Sequence, residues 1–257
     1  VRLTVVGCSG SYPGPSSSAS CYLFEAEAPE AGTGEPRTWR ILVDLGNGGL
    51  GQLHRYADPL TIDAVFLSHL HADHCLDMCG FYVMRKYHPT GAQPRIPVWG
   101  PADTPGRLAR AYDLPEDPGM TEEFDFRPHQ PVVDVGPFRV ETAPVVHPVD
   151  AFALRITAGG RSVAYSGDTG ACESLDRLAA GADVFLCEAS FRDGEANPPD
   201  LHMTGSECGT SAARAGVGRL VLTHVPPWHD AENALAEART TWDGPLELAV
   251  PGAVYTL

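Results

Sequence analysis

Lysine is almost missing from this chain. Lys86 is the only one in 257 residues, and Lys plus Arg number 18 against 33 Asp plus Glu. A protein that grips long RNA or DNA neutralises phosphates with clustered basic side chains. A formal net charge of −15, with no basic run, therefore argues against long nucleic acid as a partner. A small anion held by metal ions stays open, because an ion supplies local positive charge whatever the net charge is. No apolar stretch is long enough to span a bilayer, so no membrane partner is expected. The opening, Val1-Arg2-Leu3-Thr4-Val5-Val6-Gly7, reads as a first strand, not as a signal peptide. Regular cysteine spacing is absent too. Cys8, Cys21, Cys75, Cys79, Cys172, Cys187 and Cys208 are odd in number and irregularly placed. That argues against a disulfide framework and for a reducing, cytoplasmic setting.

Apolar residues are plentiful at 43%, enough for a sizeable core, and Gly 27 and Pro 23 suit many strand-to-loop exits. The length fits one large α/β domain, taken here as 1–257. Strands are predicted at Arg2–Val6, Cys21–Ala26, Trp39–Asp44, Ala64–Ser68, Ile96–Trp99, Phe138–Thr142, Phe152–Ile156, Ser162–Ser166, Val184–Cys187 and Leu220–Thr223. The second and third form a hairpin around the Pro/Gly/Glu-rich link Ala28–Pro36. Helices are predicted at Leu76–Tyr87, Thr104–Tyr112, Cys172–Ala180, Gly205–Ala215 and Ala231–Thr241. Strands alternating with helices imply sheets covered by helices, and the hairpins favour mixed sheets.

The densest chemistry is His69-Leu70-His71-Ala72-Asp73-His74, directly after Ala64-Val65-Phe66-Leu67. Imidazole and carboxylate are ligands for borderline divalent metals such as zinc. Packing gains nothing from so many titratable groups at a strand exit. Further candidates also follow strands: His147 after Val140–Val146, Asp168 after Val163–Ser166, and His224 after Leu220–Thr223. Polar ligands repeated at strand exits are what a preorganised site on a rigid scaffold requires. Cys75 and Cys79 sit one helical turn apart beside the cluster; small buried hydrophobes are the favoured reading, with metal contact left open.

His69-x-His71-x-Asp73-His74, His147, Ser166-Gly167-Asp168-Thr169 and Thr223-His224, in this order, resemble the metallo-β-lactamase superfamily of hydrolases. The resemblance covers nearly the whole chain. It implies a four-layer αββα sandwich with two mixed sheets and two divalent metal ions. Zinc is the first expectation; manganese and iron also suit such ligands. Carried over position by position, one ion takes His69, His71 and His147, the other takes Asp73, His74 and His224, and Asp168 bridges them. Such a pair would make hydroxide available at neutral pH and polarise a substrate oxygen, with Asp73 also orienting the water. Asp168 stands where true β-lactamases carry a cysteine, so lactam cleavage is not expected.

Gly7-Cys8-Ser9-Gly10-Ser11, Asp44-x-Gly46, Trp99-Gly100-Pro101, Glu188-Ala189-Ser190-Phe191 and Leu201-His202-Met203-Thr204 are similar to the ribonuclease Z-like branch. That similarity implies His202 as general acid or phosphate stabiliser, with Glu188 orienting or charging it. The tRNA-processing members carry a long basic arm between the third histidine and the bridging Asp. Here Pro148–Gly167 holds only a hairpin, so a small substrate is expected. The chain then looks like short bacterial cyclic nucleotide phosphodiesterases, whose relatives are commonly homodimers. Trp228, in Val225-Pro226-Pro227-Trp228, is either a base-stacking residue or a packed aromatic. The competing readings are a ribonuclease Z-like RNA 3′-end endonuclease, a hydrolase of another ester, and a metal-binding protein without activity.

Two other motifs point elsewhere. Gly46-Asn47-Gly48-Gly49-Leu50-Gly51 satisfies G-x-G-x-x-G, with Asp63 as the nominal ribose acid. Asp63 precedes a strand rather than ending one, so a close backbone turn beneath the metal site is preferred. Gly7–Ser11 lacks the final glycine of a nucleophile elbow. His54, His88, His129 and His229 read as structural or surface residues.

Overall fold

A computed structural model describes residues 1–30 and 32–257. Of the predicted link Ala28–Pro36, Ala31 lies outside the described residues. The first sheet is built from β1 (Arg2–Gly7), β2 (Cys21–Pro29), β3 (Pro36–Leu45), β4 (Ala64–Phe66), β5 (Ile96–Gly100) and β6 (Phe124–Pro128). Its helices are α1 (Gly49–Leu53), α2 (Ala72–Cys75), α3 (Met78–Tyr87) and α4 (Thr104–Ala111). The second sheet holds β7 (Val132–Val135), β8 (Phe138–Pro144), β9 (Phe152–Ala158), β10 (Arg161–Tyr165), β11 (Val184–Glu188), β12 (Leu220–Thr223) and β13 (Leu246–Leu248). Its helices are α5 (Glu173–Ala179), α6 (Gly205–Ala215) and α7 (Ala231–Arg239). The last strand, β14 (Val254–Thr256), returns to pair with β1. Strand order is β14-β1-β2-β3-β4-β5-β6 in one sheet and β13-β12-β11-β10-β9-β8-β7 in the other.

Period-two patterning builds the layers. Leu3, Val5, Tyr22, Phe24, Ile41, Val43 and Phe66 face the second sheet, where they meet Leu154, Ile156, Val163, Tyr165 and Leu186. Their neighbours Leu23, Leu42, Val65 and Leu67 turn the other way, onto Met78, Phe81 and Leu108 of the helices. In the second sheet, Ala153, Ala164, Phe185 and Cys187 pack on Leu175, Cys208, Ala212 and Ala238. A strand shows alternate side chains to opposite faces, so both faces of each sheet must be covered when both sets are apolar. The result is the expected αββα sandwich with mixed sheets, parallel along β3-β4-β5-β6 and β10-β11-β12-β13.

Two expectations are corrected in detail, and the preferred reading of the glycine-rich turn agrees with the structure. The predicted helix Leu76–Tyr87 starts two residues late, as α3 at Met78, after the separate short helix α2; Asp77 between them turns its carboxylate to accept from the Leu50 N–H at 2.9 Å. His147 does not end a strand; β8 stops at Pro144, and the following loop is tied to the Asp168 loop by a Val146–Gly170 bridge. The G-x-G-x-x-G stretch opens only the five-residue α1, and Asp63 is taken by Arg37 and the Arg40 N–H. At Gly46 a Cβ would lie 1.9 Å from the Asp73 carbonyl oxygen, so the glycine lets this turn press against the metal-ligand loop.

Candidate metal centre

The carboxyl-terminal ends of the parallel strands in both sheets meet at one place. Asp44 lies at the end of β3, His69–His74 follow β4, Asp168 follows β10, Glu188 ends β11 and His224 follows β12. Clefts at strand carboxyl ends are where open α/β sheets gather functional groups. The structure brings all seven predicted ligands together there, as two groups that share Asp168.

In the first group, His69 Nε2 lies 3.0 Å from His71 Nδ1, and His147 Nε2 lies 3.2 Å from that same atom. Asp168 Oδ2 is 3.7 Å from His69 Nε2. In the second, His74 Nε2 lies 3.0 Å from His224 Nε2, and Asp73 Oδ2 is 3.0 Å from His224 Nε2. Asp168 Oδ1 is 3.2 Å from His74 Nε2 and 3.5 Å from His224 Nε2. One carboxylate thus turns a different oxygen to each group.

For four of the five histidines the outward side of the ring explains the inward side. His69 Nδ1 donates to Ser68 Oγ at 3.1 Å, and His74 Nδ1 donates to Asp44 Oδ2 at 2.8 Å. His147 Nδ1 donates to the Leu201 carbonyl at 2.9 Å, and His224 Nδ1 donates to Ser190 Oγ at 2.8 Å. A neutral imidazole whose proton is committed on one nitrogen presents a lone pair from the other. Each group therefore aims several lone pairs at one point. Asp168 Oδ1 is also buried without a hydrogen bond among the described residues. Buried acceptors left in that state are rare. A divalent cation in each group satisfies all of them at once, so the donor set fits the expected metals.

At four of the ligands electrostatics lead to the same conclusion, whereas Asp168 and Asp44 outweigh burial at His74 and raise it well above the usual imidazole range. Burial pushes His69 and His71 below the usual imidazole range, helped by neighbouring histidine charge, which favours the neutral, ligating form. Burial alone would raise Asp168 and Asp73, but the surrounding histidines override it and hold both well below the ordinary carboxylate range. That favours the ionised, ligating form of both acids.

Sequence reasoning passed over the support beneath these ligands. Asp44 was visible only as part of Asp44-x-Gly46. Fully buried, it accepts from Ser68 N at 2.7 Å and from Ser68 Oγ, Tyr165 OH and His74 Nδ1 at 2.8 Å each. Asp44 and His224 both hold left-handed backbone, φ 59° and 58°, a strained state for residues with a Cβ. Cys75 belongs to neither group. It is fully buried against the helix-side core, where burial pushes its thiol up to about 12.

His202 stands beside the two groups. Its Nδ1 donates to Glu188 Oε1 at 2.8 Å and lies 4.0 Å from Asp168 Oδ2. Glu188 is itself pinned by the N–H groups of Thr169 at 2.9 Å and Ser190 at 3.2 Å. Thr204, two residues on, caps α6: its side chain accepts from Glu207 N while Glu207 Oε2 accepts from Thr204 N. That capping box fixes the backbone that carries His202. Burial opposes charge on the ring, but Glu188 outweighs it and pushes His202 up to about 9.

Comparison with known proteins agrees with this geometry. The beta-lactamase superfamily domain matches residues 39–225, a stretch that holds all seven ligands, Glu188 and His202. The uncharacterized protein Rv1339 of Mycobacterium tuberculosis is 44% identical over 256 residues, covering 97% of this chain and 90% of that protein. The metallo-beta-lactamase fold protein YhfI of Bacillus subtilis is 30% identical over 264 residues, covering 99% of each chain. Its crystal structure aligns with a TM-score of 0.85, over 99% of this chain and 98% of that one. Ribonuclease Z of Myxococcus xanthus is 28% identical over 321 residues, covering 100% of this chain and 98% of that protein. With two His/Asp groups able to hold metal at the strand ends of an αββα sandwich, the chain belongs to the beta-lactamase superfamily, as a metallo-hydrolase of its ribonuclease Z-like branch.

Proposed function

We propose that this hydrolase cleaves a small phosphodiester, a cyclic mononucleotide such as cAMP foremost, with two divalent ions, zinc first among them. The observation that carries the reading is His202, held at Nδ1 by Glu188 beside the shared carboxylate Asp168. Its Nε2 makes no hydrogen bond among the described residues and can serve a substrate oxygen. When bound, the ions supply Lewis acidity and hydroxide at neutral pH. The side chains do the rest. His69, His71 and His147 would hold one ion, Asp73, His74 and His224 would hold the other, and Asp168 would offer an oxygen to each group. Asp73 also orients the attacking water. His202, protonated through Glu188, neutralises the departing oxygen and donates its proton to it.

Substrate size follows from what surrounds the site. Between His147 and Asp168 the chain forms only the hairpin of β9 and β10, turning at Gly159-Gly160, so no arm reaches out to a tRNA. The net charge of −15 also disfavours a long polyanion. Four residues beyond His224, Trp228 is 58% exposed and sits 5.3 Å, centroid to centroid, from Tyr12, itself 43% exposed. An exposed aromatic pair of this kind suits stacking on one base.

The test is turnover by metal-loaded protein across cAMP, cGMP, a cyclic dinucleotide, bis-p-nitrophenyl phosphate and a tRNA precursor. Cyclic mononucleotides should be the best substrates. A discrete cut in the tRNA precursor, with cyclic nucleotides untouched, would replace this reading with the RNA 3′-end endonuclease.

A further inference from the structure

This acidic chain gathers arginines in one place away from the metal centre. Arg37 and Arg40 lie on β3, Arg85 near the end of α3, and Arg95 just before β5. All four line a cavity of about 640 Å³ that Ile62 and Ile96 also border. It sits at the opposite end of the strands from the metal ligands. Arg40 and Asp63 come before the Ile41–Ala64 pairing of β3 with β4, whereas Asp44 and His69 come after it.

Arg85 is the informative residue, with 2% of its surface exposed. Its Nη2 donates to the Pro94 carbonyl, and its guanidinium lies 5.3 Å from the centre of the Phe81 ring. Nε and Nη1 are buried without partners. Glu123 is the acid whose charge reaches it, but Glu123 pairs with Lys86 at 3.4 Å and its other oxygen is also unpartnered. Buried charge with unspent donors is costly and calls for an acceptor. The neighbours retain donors too. Arg40 uses Nε on Glu25 at 3.0 Å, and Arg95 reaches Asp125 only at 3.5 Å. Arg37 is engaged by Asp63 and Glu30.

We propose that this cavity is a second binding site, for a small organic phosphomonoester, remote from the metal centre. Guanidinium groups arriving from one strand, one helix and the segment before β5 suit a tetrahedral dianion, whose oxygens accept from several directions at once. A planar carboxylate would meet only one of them well. The volume exceeds that of a phosphate group, and Ile62 and Ile96 offer apolar wall for an organic body.

Calorimetric titration of the metal-loaded protein with phenyl phosphate tests this, with phenol as the phosphate-free control. Two classes of site are expected, one at the metal centre and one in the cavity. Arg40→Ala and Arg85→Met should each weaken one class at least tenfold and spare the other, with turnover of bis-p-nitrophenyl phosphate unchanged. Where Arg85→Met fails to fold by circular dichroism, Arg95→Ala takes its place. Crystals soaked in tungstate should show anomalous density between Arg40 and Arg85. A single class that disappears with Asp168→Ala and ignores all the arginine variants would overturn the proposal. So would phenol binding as tightly as phenyl phosphate. Neither result bears on whether the metal centre cleaves phosphodiesters.

Discussion

Replacing Asp44 with Asn should loosen one metal ion and leave the other in place. The carboxylate touches no metal ligand except His74, and it fixes that ring by accepting from Nδ1 at 2.8 Å. In Asp44→Asn the amide oxygen is drawn to the Ser68 N–H, which now donates to Oδ1 at 2.7 Å. The amide NH₂ then occupies the Oδ2 position, facing His74 Nδ1, Ser68 Oγ and Tyr165 OH. Two donors cannot share one bond, so His74 must move its proton to Nε2, the atom aimed at Asp168 and His224. Loss of a carboxylate that orients a ligating histidine weakens metal binding about 10- to 100-fold. That is about 1.4 to 2.7 kcal/mol. The group of His69, His71 and His147 meets Asp44 only indirectly, through the Ser68 hydroxyl beside His69, so its ion should lose much less affinity. Competition against a chromogenic chelator, followed by elemental analysis of the protein, resolves the two ions. Tyr165→Phe is the control: it removes one donor to Asp44 but not the charge, and should shift affinity by less than about threefold. Equal loss in both variants would mean that packing of the network, not the carboxylate charge, sets ligand geometry. Unchanged binding in Asp44→Asn would refute the argument outright.

Further outcomes are expected at His202, Glu188, Trp228 and His129. His202→Ala should retain both ions yet lose about 10²- to 10⁴-fold in kcat, and full activity would remove its assigned role. His202 is raised to about 9, so its protonated form prevails below that pH and activity should fall as pH rises through it. Glu188→Gln should move that limb of the profile to lower pH. Trp228→Ala should raise KM for cAMP about 5- to 100-fold while leaving bis-p-nitrophenyl phosphate unaffected, since a base stack contributes about 1 to 3 kcal/mol; equal effects on both substrates would place Trp228 outside recognition. His129 donates from Nε2 to the Leu67 carbonyl at 2.9 Å, and burial lowers it to about 4. The fold prefers the neutral ring, so its contribution is full above the unfolded value near 6.5 and is lost as pH falls toward 4, by up to about 3 kcal/mol. Urea unfolding should lose less stability over that window in His129→Gln than in wild type, and parallel curves would reject this.

The metal ligands were legible because each class of signal was local. His69–His74 are contiguous, and Asp168 and His224 follow strongly apolar strands. The partners that orient them were not. Asp44 and Tyr165 are 121 residues apart and meet only through sheet-on-sheet packing, while Ser190 lies 34 from His224 and meets it through the pairing of β11 with β12. Edge strands escaped for a related reason. Val132–Val135, Leu246–Leu248 and Val254–Thr256 are three or four residues long, too short for alternation to stand out. The arginine-lined cavity was equally hidden, since Arg37, Arg40, Arg85 and Arg95 come from separate elements with no shared motif.

The division of the ligands between the sheets has a thermodynamic meaning. His69, His71, Asp73 and His74 follow the first sheet, and His147, Asp168 and His224 come from loops of the second. An ion bound by either group would therefore act as a crosslink through the seam of the sandwich, joining segments far apart in the chain. Free metal concentration becomes a variable of folding itself. At a thousandfold excess over Kd, one ion adds about 4 kcal/mol to the native state. The same residues that would carry the chemistry thus make resistance to unfolding depend on metal supply, and a starved cell would find this protein easier to unfold and degrade.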